Sequence, residues 1–104
     1  MASNAWVPGA QPGCEDGFGR RHDALWPEMR AALRAAGVRN GHIFRHNLSL
    51  LGTFECDDLD ATGAQRRDGP VNRRWSEHMA DMVRADLEPR TGFPFLLPLQ
   101  WSLD

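Results

Sequence analysis

The apolar residues between Cys14 and Ala36 recur at helical spacing, and Pro27 stands in the middle of them. Counting about 100° per residue from His22, residues Phe18, Leu25, Trp26, Met29, Leu33 and Ala36 fall within roughly 60° of it. Arg20, Arg30 and Arg34 fall on the far side of the same wheel. The spacing predicts one helix from Cys14 or Glu15 to Ala36, stopped by Gly37. Gly17 and Gly19 weaken its first turns by about 1 kcal/mol each relative to alanine. Pro27 removes the hydrogen bond to the Asp23 carbonyl and is expected to kink it. His22 therefore sits at the centre of an apolar stripe, within a turn of a bend. A titratable ring there is either a satisfied core histidine or the working group of a cavity. The freed carbonyl and bent backbone favour the cavity.

The remaining elements fall into order around that helix. Ala5-Trp6-Val7 begins a strand that Pro8 and Gly9 cut short or place at an edge. His42–His46 and Leu50–Glu55 read as a β-hairpin joined by Asn47-Leu48-Ser49, with His42, Phe44 and His46 on one face. Asp57-Asp58-Leu59-Asp60 caps a short helix ending near Asp68-Gly69. Pro70 opens another that is expected to reach about Leu87, with Val71, Trp75, His78, Met79 and Met82 on one side. Residues 88–92 form a loop, and Leu99, Trp101 and Leu103 alternate as a half-buried strand. Strand, helix, strand, strand, helical region, strand is the split βαβ order. It predicts a ferredoxin-like α+β fold, an antiparallel sheet with helices on one face. The bare face of so short a sheet, in a chain with four tryptophans, is expected to be covered by a second copy in a homodimer.

Composition limits the classes of function. At 104 residues the chain makes a single domain, 1–104. A net charge of −2 with no run of like charge gives no footprint for nucleic acid or a membrane surface. All twelve basic residues are arginine, and there is no tyrosine. Cys14 and Cys56 fit no metal or redox spacing, and both read as small buried thiols in a reducing compartment. No stretch has the length of a membrane span or the pattern of a leader, and a cytoplasmic location is expected.

Arg20-Arg21-His22-Asp23-Ala24-Leu25-Trp26-Pro27-Glu28, followed by Gly37 and Asn40, resembles the signature of the L-rhamnose mutarotase family. Arg74-Trp75 with Met79 downstream is similar too, and the resemblance runs from about Trp6 to Leu103. It implies a small cytoplasmic homodimer of the dimeric α/β-barrel type, without cofactor or metal, that interconverts α and β anomers of a free sugar. His22 falls on the family's proton-donating histidine, and Trp75 on the first of two tryptophans that pack against the sugar. Phe18 and Gly41 stand where the family has sugar-contacting tyrosines, and Ser76 replaces the second tryptophan. The candidate site is therefore His22 as catalyst, with Phe18, Trp26, Gly41, Trp75 and Ser76 around a small-molecule substrate.

Opening a pyranose hemiacetal needs one proton delivered to the ring oxygen and one removed from the anomeric hydroxyl. Imidazole suits the task because its unperturbed pKa is close to neutral. The second proton carrier is left open among His42, His46, His78, Asp23 and a water. Two other readings stand beside this one. The altered pocket positions fit an isomerase or cyclase for a bulkier non-sugar or glycosylated compound. A core histidine fits a non-catalytic ligand-binding dimer.

Overall fold

A computed structural model describes residues 2–85, 88 and 94–103. Its elements are β1 (Ala2–Trp6), β2 (Gly9–Ala10), α1 (Glu15–Asp23), α2 (Pro27–Ala35), β3 (Arg39–His46), β4 (Ser49–Cys56), α3 (Leu59–Asp68), α4 (Pro70–Met79) and β5 (Val83–Arg84). β1 and β2 are one strand interrupted at Val7-Pro8, since both pair antiparallel with β4 in a single register, Ala2 with Cys56 through Gly9 with Ser49. β3 takes the other edge of β4, and β5 pairs with β2. The order across the sheet is β3, β4, β1–β2, β5, entirely antiparallel. This is the expected ferredoxin-like α+β sheet, with the interruption at Pro8 in a central strand rather than at an edge.

Pro27 does more than kink the first helix. It starts a second one: Trp26 has φ −58 and ψ 136, the extended conformation that a following proline imposes, so α1 ends at Asp23 and Pro27 becomes the first residue of α2. α2 closes at Gly37, whose φ is +94, with Val38 N–H donating to Leu33 and Gly37 N–H to Arg34. That pair of bonds is a Schellman stop. Asp58 caps α3 by accepting from the Ala61 N–H at 3.1 Å. α3 is tied to the end of α2 by the Thr62 hydroxyl, which donates to the Ala36 carbonyl at 2.6 Å.

The hairpin forms with a two-residue turn, Asn47-Leu48, and Ser49 belongs to β4 rather than to the turn. A bulge falls between Arg39 and His42, where Asn40 adopts φ +51. Two further expected elements differ. α4 ends at Met79 instead of about Leu87, because Met82 and Val83 are drawn into the sheet edge by Gln11, whose N–H donates to Met82 and whose side-chain amide donates to Val83. Residues 86, 87 and most of the expected 88–92 loop lie outside the described residues. Leu99, Trp101 and Leu103 form no strand and are 76, 74 and 81 % exposed. β5 pairs with β2 instead, and Leu96 bridges Trp6.

The core joins Leu50 and Ala10 of the sheet to Phe18, Met29, Trp75 and Met79 of the helices, with Leu25, Trp26 and Leu33 packed against them. Alternation along β4 buries Leu50 and exposes Leu51, so the helices cover one sheet face only.

Candidate active site

Three helices bring the aromatic side chains together. Phe18 and His22 are one turn apart on α1, and their rings stack with centroids 4.4 Å apart. His22 Nδ1 lies 3.0 Å from the Phe18 carbonyl oxygen. A carbonyl only accepts, so Nδ1 carries the hydrogen and Nε2 is left for other partners. From α4 the Trp75 ring meets the His22 ring at 5.5 Å in an edge-on contact. Trp26, at the break between α1 and α2, meets Trp75 edge-on at 5.1 Å. The His78 ring lies against both tryptophans, 5.2 Å from Trp26 and 5.4 Å from Trp75.

The end of α1 is fixed by Arg21. Its guanidinium donates to both carboxylate oxygens of Asp81, at 2.8 and 3.3 Å, and to the His78 carbonyl. The hydrogen bond from Arg21 holds the Asp81 carboxyl below its ordinary value of 3.8. The clamp joins residues 60 apart in sequence, and no local pattern marks it. Asn72 on α4 is buried as well, although the helical spacing that groups Val71, Trp75, His78, Met79 and Met82 does not single it out.

Of the candidate residues, Phe18, His22, Trp26 and Trp75 form one cluster. Phe18 and Trp75 are core side chains, while His22 and Trp26 are half-buried. Gly41 lies exposed beside the bulge of edge strand β3, and Ser76 is exposed on α4, and neither makes a hydrogen bond or ring contact with the cluster. Among the candidates for the second proton, His42 stacks on Phe44 on the sheet face away from the helices, and by register His46 shares that face. Asp23 is exposed at the end of α1. His78 alone of these touches the cluster.

Two cavities lie elsewhere. One of about 130 Å³ sits between α2, α3 and α4, lined by Ala32, Leu33, Gln65, Arg66 and Asn72 among others. Arg66 is drawn into it, and burial pushes its guanidinium below the usual value. The second, about 220 Å³, lies beside Gly37, Asp57 and Asp58. Neither reaches His22, and a guanidinium has no proton to exchange at neutral pH. The histidine cluster is where proton transfer has its chemistry. Among the described residues no three His, Cys, Asp or Glu side chains gather to hold a metal ion. No described helix is long and apolar enough to cross a membrane.

Comparison with known proteins agrees with this assignment of elements. A family model described as L-rhamnose mutarotase matches residues 5–94. An L-rhamnose mutarotase of Verminephrobacter eiseniae is 40 % identical over 93 residues, covering 85 % of this chain and 81 % of that one. That of Opitutus terrae is 36 % identical over 85 residues, covering 80 % and 81 %. In fold, the crystal structure of an L-rhamnose mutarotase from Formosa agariphila superposes with a TM-score of 0.76 at 22 % identity, covering 100 % of this chain and 98 % of that one. Tetracenomycin F2 cyclase of Streptomyces glaucescens, a type-II polyketide cyclase, shares the fold with a TM-score of 0.67 at 18 % identity and the same coverage.

Proposed function

The chain belongs to the L-rhamnose mutarotase family, and from that premise we propose that it interconverts the α and β anomers of a free L-rhamnose-like deoxyhexose, with His22 as general acid and base. It is an isomerase acting on a sugar. The observation that carries the role of His22 is the bond between Nδ1 and the Phe18 carbonyl. It fixes the ring orientation and leaves Nε2 as the atom that exchanges a proton with substrate. In the imidazolium form of His22, with Nδ1–H still donated to the Phe18 carbonyl, Nε2 gives its proton to the pyranose ring oxygen as the C1–O5 bond breaks. The anomeric hydroxyl loses its proton, and C1 becomes the aldehyde carbon. Rotation about C1–C2 presents the other carbonyl face, and the same transfers in reverse close the ring to the opposite anomer. His78, or a water beside it, takes the proton of the anomeric hydroxyl, a reading supported by its contacts with Trp26 and Trp75. Trp26 and Phe18 supply an apolar wall for the C–H face of the sugar.

The test is saturation-exchange NMR on the two anomeric signals of L-rhamnose. The wild-type protein is expected to speed their exchange. No acceleration across a panel of deoxyhexoses and common aldoses overturns the reading.

The working form we propose is a homodimer joined sheet to sheet. Phe44, Leu51 and Val7 fall in one row across the uncovered face, at 58, 38 and 50 % exposure. So large an apolar row on a monomer surface is unusual unless a partner covers it. Light scattering is expected to give twice 11.7 kDa, and Phe44→Arg is expected to give the monomer mass. A monomeric wild-type protein would refute this. We place the enzyme in the cytoplasm, in keeping with its two free thiols.

A further inference from the structure

The geometry points to Trp6, laid over Gly52 on the helix-facing side of the sheet, as a sugar-binding platform below His22. The inference rests on the mutarotase reading and adds a contact that the candidate set lacks. Strand register places Ile43, Gly52, Trp6 and Leu96 in one row across β3, β4, β1 and the C-terminal bridge. Gly52 shares its face with Leu50, two residues away, which is a core residue in the same cluster as Phe18. The turn at Gln11–Gly13 reverses the chain after β2, so α1 runs in the direction of β4. His22 is one helical turn beyond Phe18, about 5.4 Å, and Gly52 is two strand residues beyond Leu50, about 6.7 Å. With Phe18 and Leu50 in one core cluster, these rises put His22 level with the Gly52 row along the sheet. Arg45, the partner of Leu50 on β3, reaches Asp16 of α1 at 3.7 Å.

Within that row Trp6 is the residue whose surroundings call for a ligand. A Cβ on Gly52 would collide with Nε1, Cε2 and Cδ1 of its indole, lying only 2.9 Å even from Cδ1. The five-membered ring thus covers the glycine, and a larger residue there displaces it. Yet Trp6 is only half-buried, lies outside the core cluster and stacks on no other ring among the described residues. Its indole N–H has no acceptor among them either. Buried tryptophans ordinarily pack against neighbours and satisfy that N–H. A half-buried indole with an unused donor fits a neutral monosaccharide: its exposed apolar surface takes the sugar's C–H surface, and the N–H donates to a hydroxyl. Gly52 keeps the platform low enough for a pyranose to fit beneath His22.

The chain has four tryptophans, so four indole N–H signals appear in a ¹⁵N spectrum, and Trp6→Phe assigns that of Trp6. On titration with the sugar that exchanges fastest, the Trp6 signal is expected to shift with the same half-saturation as the exchange rate. Trp6→Ala is expected to raise KM about tenfold while kcat falls less than threefold, and Trp6→Phe to recover most of the loss. A sugar that is turned over without moving the Trp6 signal overturns the platform, and so does a Trp6→Ala variant with unchanged KM. If the wild-type protein turns over no sugar, the mutarotase reading falls and the platform falls with it. The spectrum of the wild-type protein decides even where a variant fails to fold.

Discussion

His22→Ala is expected to reduce anomer exchange by roughly 10²–10⁴-fold in kcat, the usual contribution of a positioned general acid or base. KM is expected to change little, because the apolar wall that meets the sugar remains. The ring is half-buried and packs on Phe18 and Trp75, so the variant is also expected to lose some stability, and the rate must be measured below its melting transition. His22→Gln separates the two effects. Its amide keeps much of the side-chain volume and can donate to the Phe18 carbonyl, but it cannot cycle a proton. An enzyme whose His22→Gln variant exchanges anomers at the wild-type rate would have its acid and base elsewhere. Such a result would return His22 to the role of a satisfied core histidine.

Trp75→Ala is expected to cost about 3–5 kcal/mol of stability, the range for emptying a large aromatic site in a core. A domain of this size has about 5–15 kcal/mol in hand, so a fall in Tm of roughly 10 °C or more is expected by calorimetry. Trp75 is 8 % exposed and joins the core cluster, and its ring touches His22, Trp26 and His78 together. Its removal opens space under the whole aromatic group. Trp75→Phe retains most of the packing and is expected to lose much less. If Trp75→Ala melts with the wild-type protein, the ring is a surface lid and its contacts carry little energy. The resemblance places this residue against the sugar, whereas its burial makes it first the support on which His22 and Trp26 rest.

Much of this was readable in the sequence wherever the determining interactions are local. The wheel centred on His22 brought Phe18 and Trp26 to its side, and Gly37, Asp58 and Pro70 mark the element ends they were expected to mark. Pro27 was read as a kink because the apolar stripe continues through it. The stripe does continue, but the extended Trp26 divides it between two helices. Other features depend on register and on which chain supplies a partner. The alternation of Leu99, Trp101 and Leu103 marks an apolar face without saying that this chain has another strand to offer it. Gly41 and Ser76 carry the resemblance by position alone, and one lies on an edge strand and the other on an exposed helix surface. Trp6 and Gly52 are 46 residues apart and meet only through the β1–β4 pairing, so neither could be linked to His22 by periodicity.

Among the described residues, the eight-residue β3 pairs only with β4, which leaves a row of backbone donors and acceptors along its outer edge. Such an edge is a template for another strand, and unprotected ones nucleate aggregates. Here the bulge at Asn40–Gly41 breaks the straight run, and Arg39, His42, Arg45 and His46 line the strand with cationic or polar side chains. A second β3 brought alongside would meet a bulged backbone and the guanidinium groups of Arg39 and Arg45. The same irregularity that shifts the hairpin register therefore opposes edge-to-edge pairing, while Val7, Phe44 and Leu51 remain exposed on the sheet face beside it.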